Sequence, residues 1–223
     1  MNGARIGLAV LLMAALAAGF SFFRKEAIAD SHRQARQLVL HYTLSRVDNA
    51  IIILGDSITE ASTLPRELCG HPIVNAGLNG ASTASDLGTW LAEALDGSRA
   101  AGIVVALGTN DALKAASAQS FEANYATLLG LLGQVTGHLA VLAIPGIDVH
   151  GRVTAEMQAE AMDRINGFNA ALPALAAKEG AAFIPLPPMQ VPHTIDGVHL
   201  NATGYAVWDK AVLAGVSTIC AAH

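Results

Sequence analysis

The chain has 223 residues, of which 52% are hydrophobic, 14% are charged and 21 are glycine, a composition that suits one packed α/β domain and excludes a disordered, fibrous or repeat protein. The formal net charge of −5 is uneven: residues 1–46 carry six Lys/Arg against two Asp/Glu (+4), and the remainder carries seven against sixteen (−9). An acidic domain without a Lys/Arg cluster argues against nucleic acid as a partner, because phosphate neutralisation supplies most of that affinity.

In chain order, Arg5 precedes eighteen uncharged residues, Ile6 to Phe23, which are followed by Arg24 and Lys25. As a helix this run would span about 27 Å, close to the thickness of a bilayer's hydrocarbon core. It reads as a retained signal anchor in preference to a cleaved signal peptide, whose apolar stretch is shorter, or a buried core helix. The expected organisation is a signal anchor or signal peptide over 1–23, a basic, partly helical juxtamembrane spacer over 24–46, and a globular domain over 47–223. One Lys/Arg before the apolar run and four after it favour a cytoplasmic domain, whereas the N-terminal position and the order of charge then apolar run favour export. We expect export, with a membrane-anchored domain facing the periplasm or the exterior.

Beyond the spacer, apolar runs at 50–54, 72–76, 101–107, 139–144 and 181–186 alternate with helical patterns at about 83–95, 118–135, 155–179 and 202–216. Strands alternating with helices imply a parallel sheet covered on both faces, and runs that are apolar throughout agree with burial on both sides. The expected fold is a three-layer α/β/α sandwich of about five parallel strands, similar to flavodoxin-like doubly wound sheets. In such a sheet ligands bind beyond the carboxyl ends of the strands. The residues there are GDSIT (55–59), NAGLNGAST (75–83), GTND (108–111), PGIDVHGR (145–152) and PLPPMQVPHTIDGVHL (185–200).

Acyl transfer needs a nucleophile, a base, a group that orients the base, and donors for the developing oxyanion. Ser57 is the candidate nucleophile on the turn after the first strand. DGVH places Asp196 three residues before His199, so a turn or short helical segment can aim both side chains one way, with Asp196 holding the imidazole and His199 facing Ser57. Candidate oxyanion donors are the backbone N–H groups of Ser57 and Gly77 and the side-chain amide of Asn110. Asp56 reads as a helix N-cap, and Gly77 and Gly80 also suit positions that need φ > 0.

Four blocks in this order, GDSIT with Ser57, NAGLNGAST with Gly77, GTND with Asn110 and DGVHLNATGY with Asp196 and His199, resemble the SGNH hydrolases of the GDSL lipase/esterase family. Each block alone is an ordinary turn sequence; together, each at the end of a different strand, they are specific. The resemblance covers about residues 50–216. It implies a three-layer fold and an esterase activity that uses no metal or organic cofactor.

Of the eight histidines, His150 and His193 also follow strand ends, but only His199 has a carboxylate at the required spacing. His193 is left as a substrate contact, and Asn201 reads as the cap of the last helix. Cys69 and Cys220 are too few for a disulfide framework and too far apart for a zinc knuckle. Two readings stay open for them: free buried thiols, or a disulfide if the sheet order brings both to its lower edge, which would also indicate export.

Five strand–helix units of about 30 residues each use nearly all of Asn49 to Val216, leaving little length for a lid. The 185–195 loop, with four prolines, is a stiff wall. The expectation is a serine ester hydrolase that prefers short acyl esters on small-molecule or carbohydrate alcohols. Acyl transfer to a cell-envelope alcohol and lysophospholipid hydrolysis are the alternatives, with a non-catalytic tethered scaffold behind them.

Overall fold

The computed structural model describes residues 29–221. The uncharged run at 6–23, on which the anchor expectation rests, lies outside them. Among the described residues no helix is long and apolar enough to cross a membrane. Helix α1 covers 29–44 of the basic spacer. A boundary between two units falls at Val39–Leu40. The second starts ahead of the boundary at 47 drawn from charge, because Leu40 and Leu44 are only 2% and 7% exposed and join the core. Their spacing of four puts both on one helix face, a feature that a count of charges does not register.

The 40–223 unit contains a six-stranded sheet in the order β2-β3-β1-β4-β5-β6. Its strands are β1 Ile51–Gly55, β2 Glu67–Leu68, β3 His71–Gly77, β4 Gly102–Ala106, β5 Leu139–Leu142 and β6 Ala182–Ile184. β3, β1, β4, β5 and β6 run parallel, as the alternation of runs and helices predicts. The sixth, two-residue strand β2 pairs antiparallel with β3 and is too short to show any periodicity. β6 ends at Ile184, short of the expected 186, because Pro185 has no N–H to offer the ladder.

Both faces of the sheet are buried, which explains the unbroken apolar runs. Ile51, Ile52, Ile53 and Leu54 are all 0% exposed. Successive side chains in a strand point to opposite faces, so Ile52 and Leu54 join one cluster with residues of α3 Leu87–Leu95, α5 Ala118–Leu132 and α6 Ala155–Lys178. Ile51 and Ile53 join the other, closed mainly by Trp208, Val212, Val216 and Ile219 of α7 Ala202–Cys220. The helix expected from 83 starts at Leu87, because 82–86 is a turn in which Ser82 N–H donates to Ser85 Oγ at 3.0 Å. Two short helices, α2 Ser57–Glu60 and α4 Thr109–Leu113, complete the set.

Cys69, in the β2–β3 turn, and Cys220, the last residue of α7, form a disulfide with their Cα atoms 6.2 Å apart. Of the two readings open from sequence, the structure has the bridge: the order of the sheet brings the β3 entry and the α7 exit to one edge.

Candidate active site

β1 lies between β3 and β4, with Gly55 in register with Gly77 on one side and Ala106 on the other. Its carboxyl end leads into α2 through Asp56, whose Oδ1 accepts the Ile58 N–H at 2.9 Å, the N-cap expected from sequence. Capping places Ser57 at the first helical position, where its own N–H lies outside the helical ladder. Asp56 itself is 2% exposed. Burial pushes its carboxyl up to about 7, reinforced by nearby Asp111 and opposed by the Ile58 hydrogen bond and by His199.

The loop between β6 and α7 closes on itself before it reaches Ser57. Ile195 N–H donates to His199 O at 2.8 Å, and Asn201 N–H to His193 O at 2.9 Å. Asn201 caps α7, its Oδ1 accepting the N–H groups of Thr203 and Gly204 at 3.0 Å each. At the tip, Asp196 Oδ1 accepts the N–H groups of Val198 and His199 at 3.0 and 2.8 Å, and Oδ2 lies 2.7 Å from His199 Nδ1. Burial resists ionisation of Asp196, but the bonds from the His199 ring and the two N–H groups outweigh it and hold the carboxyl down at about 2. His199 Nε2 then lies 3.0 Å from Ser57 Oγ across 142 residues of sequence. Ser57, His199 and Asp196 are therefore brought together in one hydrogen-bonded line.

Of the three expected oxyanion donors, Gly77 is arranged differently from the other two. Gly77 N–H is donated to Asn75 Oδ1 at 2.9 Å, so it is already engaged. Gly77 is needed for another reason: a Cβ there would collide with the Glu60 backbone of α2. In the same loop Gly80, at φ +77°, is exposed, and its N–H has no hydrogen-bond partner among the described residues. Asn110, on α4, gives one amide hydrogen to Ala81 O at 2.8 Å, which ties it to the Gly80 loop and leaves the second for a ligand. Asp111 strengthens the same tie, accepting from Thr83 N–H at 3.1 Å and from its hydroxyl at 2.5 Å. The two glycines of NAGLNGAST thus differ: the Gly77 N–H is bonded within its own loop and the Gly80 N–H is not. The signal that could have separated the two was Asn75, an Asx-type acceptor two residues before Gly77.

Ser57 and His199 open onto a cleft of about 480 Å³ that is also lined by Glu60, Asn79, Ile195 and Tyr205. Glu60 Oε2 accepts the Asn79 N–H at 2.6 Å. Tyr205 braces the nucleophile helix by donating to Ile58 O at 2.8 Å, and burial pushes its phenol up to about 12, so it stays a donor. Sequence reading missed Tyr205, although it ends the quoted block DGVHLNATGY. His193, expected as a substrate contact, does not line this cleft. It is 5% exposed, donates from Nε2 to Gly146 O at 3.0 Å, and forms part of the wall of a second cavity of about 530 Å³ between α6 and the 185–191 loop.

A family model for GDSL-like lipases and acylhydrolases matches residues 53–207. No curated protein sequence matches the chain. Among solved structures, a Streptococcus pneumonia protein carrying the name platelet activating factor is similar at TM-score 0.70 and 24% identity, over 88% of this chain and 98% of that one. A GDSL-like lipase from Bacteroides thetaiotaomicron VPI-5482 is similar at TM-score 0.60 and 19% identity, over 76% and 88% of the two chains. An acetylxylan esterase from Geobacillus stearothermophilus is similar at TM-score 0.57 and 13% identity, over 75% and 94%; its solved catalytic mutants replace an aspartate, a histidine or a serine. With a family match over well over half its length and the fold of these proteins, the chain belongs to the GDSL-like lipase/acylhydrolase family, the SGNH hydrolases, and is a hydrolase acting on esters.

Proposed function

We propose that the protein is a serine ester hydrolase working through a Ser57–His199–Asp196 triad, preferentially on short acyl esters. The observation that carries this is the line of contacts from Ser57 Oγ to His199 Nε2, 3.0 Å, and from His199 Nδ1 to Asp196 Oδ2, 2.7 Å. Ser57 Oγ attacks the acyl carbonyl while His199 Nε2 takes its proton, and Asp196 orients the ring and stabilises the imidazolium. The proton then passes to the departing alcohol, leaving an acyl-serine. Water attacks this ester with His199 again as base, releasing the acid and restoring Ser57. The Ser57 and Gly80 N–H groups and the second Asn110 amide hydrogen are the donors aimed at the oxyanion, with Gly80 in the role that Gly77 was expected to fill. The catalytic aspartate and histidine of the acetylxylan esterase are likewise three residues apart in its chain, which supports the assignment.

The short-acyl preference follows from the cleft, about 480 Å³ and open, with polar and apolar groups mixed along its wall. It offers little apolar area to a long chain, where each methylene must gain about 0.8 kcal/mol by leaving water. A carbohydrate or cell-envelope alcohol on the leaving-group side fits the Glu60, Asn79 and Tyr205 lining. For location we propose anchoring through 1–23 with the domain outside the cytoplasm, supported by the Cys69–Cys220 bridge, which persists in oxidising compartments.

The test is a series of p-nitrophenyl esters from acetate to palmitate, assayed with wild type, Ser57→Ala and His199→Ala. Both variants are expected to lose most activity while melting as the wild type does, and kcat/KM is expected to peak at short chains. Wild-type turnover by Ser57→Ala would overturn the nucleophile, and kcat/KM rising steadily beyond octanoate would replace the short-acyl reading by a lipid one.

A further inference from the structure

The loop that carries Asp196 and His199 is internally closed, but its own bonds do not determine how far it stands from Ser57. Asp196 and His199 are bonded to each other and to residues of the same loop, so the pair would survive a shift of the whole loop. What holds the loop's base is a second aspartate, in the β5–α6 connection. Asp148 is 3% exposed, and its Oδ2 accepts three hydrogen bonds from that base: His193 N–H at 2.7 Å, Thr194 N–H at 2.9 Å and the Thr194 hydroxyl at 2.8 Å. Its Oδ1 lies 3.0 Å from His193 Nδ1, and neither atom has a hydrogen-bond partner. The Asp148 N–H donates to Gly197 O at 2.9 Å, beside the tip, and His193 Nε2 returns to Gly146 O at 3.0 Å. One buried carboxylate thus joins two loops that are 45 residues apart in sequence. Buried donors keep such an acceptor in place, because each donor left unmatched costs about 1–3 kcal/mol.

We infer that Asp148 is a positioning residue for ester hydrolysis: it anchors the base of the 193–201 loop so that His199 Nε2 stays within reach of Ser57 Oγ. The inference rests on the triad reading above. It differs from a purely structural role in what is lost. A structural residue lowers the fraction of active protein, whereas a positioning residue leaves every molecule folded and slows each one. A displacement of about 1 Å at the reacting groups is worth about 10²-fold in rate.

The experiment compares wild type, Asp148→Asn, Thr194→Val and Ser57→Ala as full chains, well below their melting temperatures. The readouts are p-nitrophenyl acetate kinetics and the rate and endpoint of fluorophosphonate labelling. Asp148→Asn is expected to label to the wild-type endpoint but about 10- to 100-fold more slowly, with kcat falling in proportion and KM within about threefold. Thr194→Val, which removes one bond and keeps the carboxylate, is expected to lose severalfold in kcat in the same pattern. A wild-type labelling rate in folded Asp148→Asn, or a loss of activity matched by a lower endpoint alone, would overturn the inference. If Asp148→Asn does not fold, wild-type kcat in Thr194→Val overturns it. Labelling that persists in Ser57→Ala is a separate outcome, which removes the triad reading and this inference with it.

Discussion

Asp56 caps the helix that presents Ser57, yet it is buried close to Asp111 and His199, and burial lifts its carboxyl from 3.8 to about 7. A carboxyl whose pKa is raised on folding favours the folded state below its unfolded value, and that advantage is lost as pH rises through the folded one. Wild-type stability is therefore expected to fall between about pH 4 and pH 7 from this group. Asp56→Asn keeps an acceptor for Ile58 N–H but does not titrate, so its Tm relative to wild type should climb across that window, as read by thermal melts at each pH. A constant difference would remove burial of the charged form as the cause. Asp196 has the opposite sign. Held at about 2, it contributes stability above 3.8 that is lost only as pH falls through about 2. An acid limb in kcat/KM above pH 4 therefore belongs to another group.

At the scale of elements, the chemistry depends on helices and loops docked at the carboxyl end of the sheet. α2 sits close against β3 because Gly77 has no side chain to meet the Glu60 backbone, and the Gly80 loop is tied to α4 through Asn110 and Asp111. α1 illustrates the same dependence at the other end of the unit. Its charge marks it as a spacer, but Leu40 and Leu44 are buried in the core. A chain beginning at residue 47 loses both, at about 2 kcal/mol or more each. It is expected to melt roughly 10 °C lower than a chain beginning at 36, given about 2–4 °C per kcal/mol for a domain of this size. Equal melting temperatures in differential scanning calorimetry would show that the α1 leucines add nothing to the fold.

For the whole molecule, the Cys69–Cys220 bridge closes a separation of 151 residues, from the edge hairpin to the end of α7. Constraining so long a loop in the unfolded chain is worth about 2–5 kcal/mol. Cys69→Ser with Cys220→Ser is expected to lower Tm by about 5–15 °C while leaving kcat for p-nitrophenyl acetate at 25 °C near wild type, since the bridge lies at the sheet edge opposite to the site. A loss of kcat without a loss of Tm would contradict that separation. The membrane proposal belongs to this scale too: full-length protein is expected to sediment with membranes and to be degraded by protease added outside intact cells.

The sequence by itself determined the parallel sheet, because unbroken apolar runs between amphipathic segments leave no other way to bury both faces. It also determined the candidate triad, because Ser57 follows a strand end and Asp196 stands one turn before His199, both of which are local relations. Tertiary structure decided whatever depends on which groups meet across long separations. It assigned the Gly77 N–H to Asn75 and left that of Gly80 exposed, set His193 against Asp148 and outside the Ser57 cleft, and joined Cys69 to Cys220. Short-range patterns report which residues share a face or a turn. A hydrogen bond between loops, or a bridge across 151 residues, exists only once the sheet order has brought its two ends together.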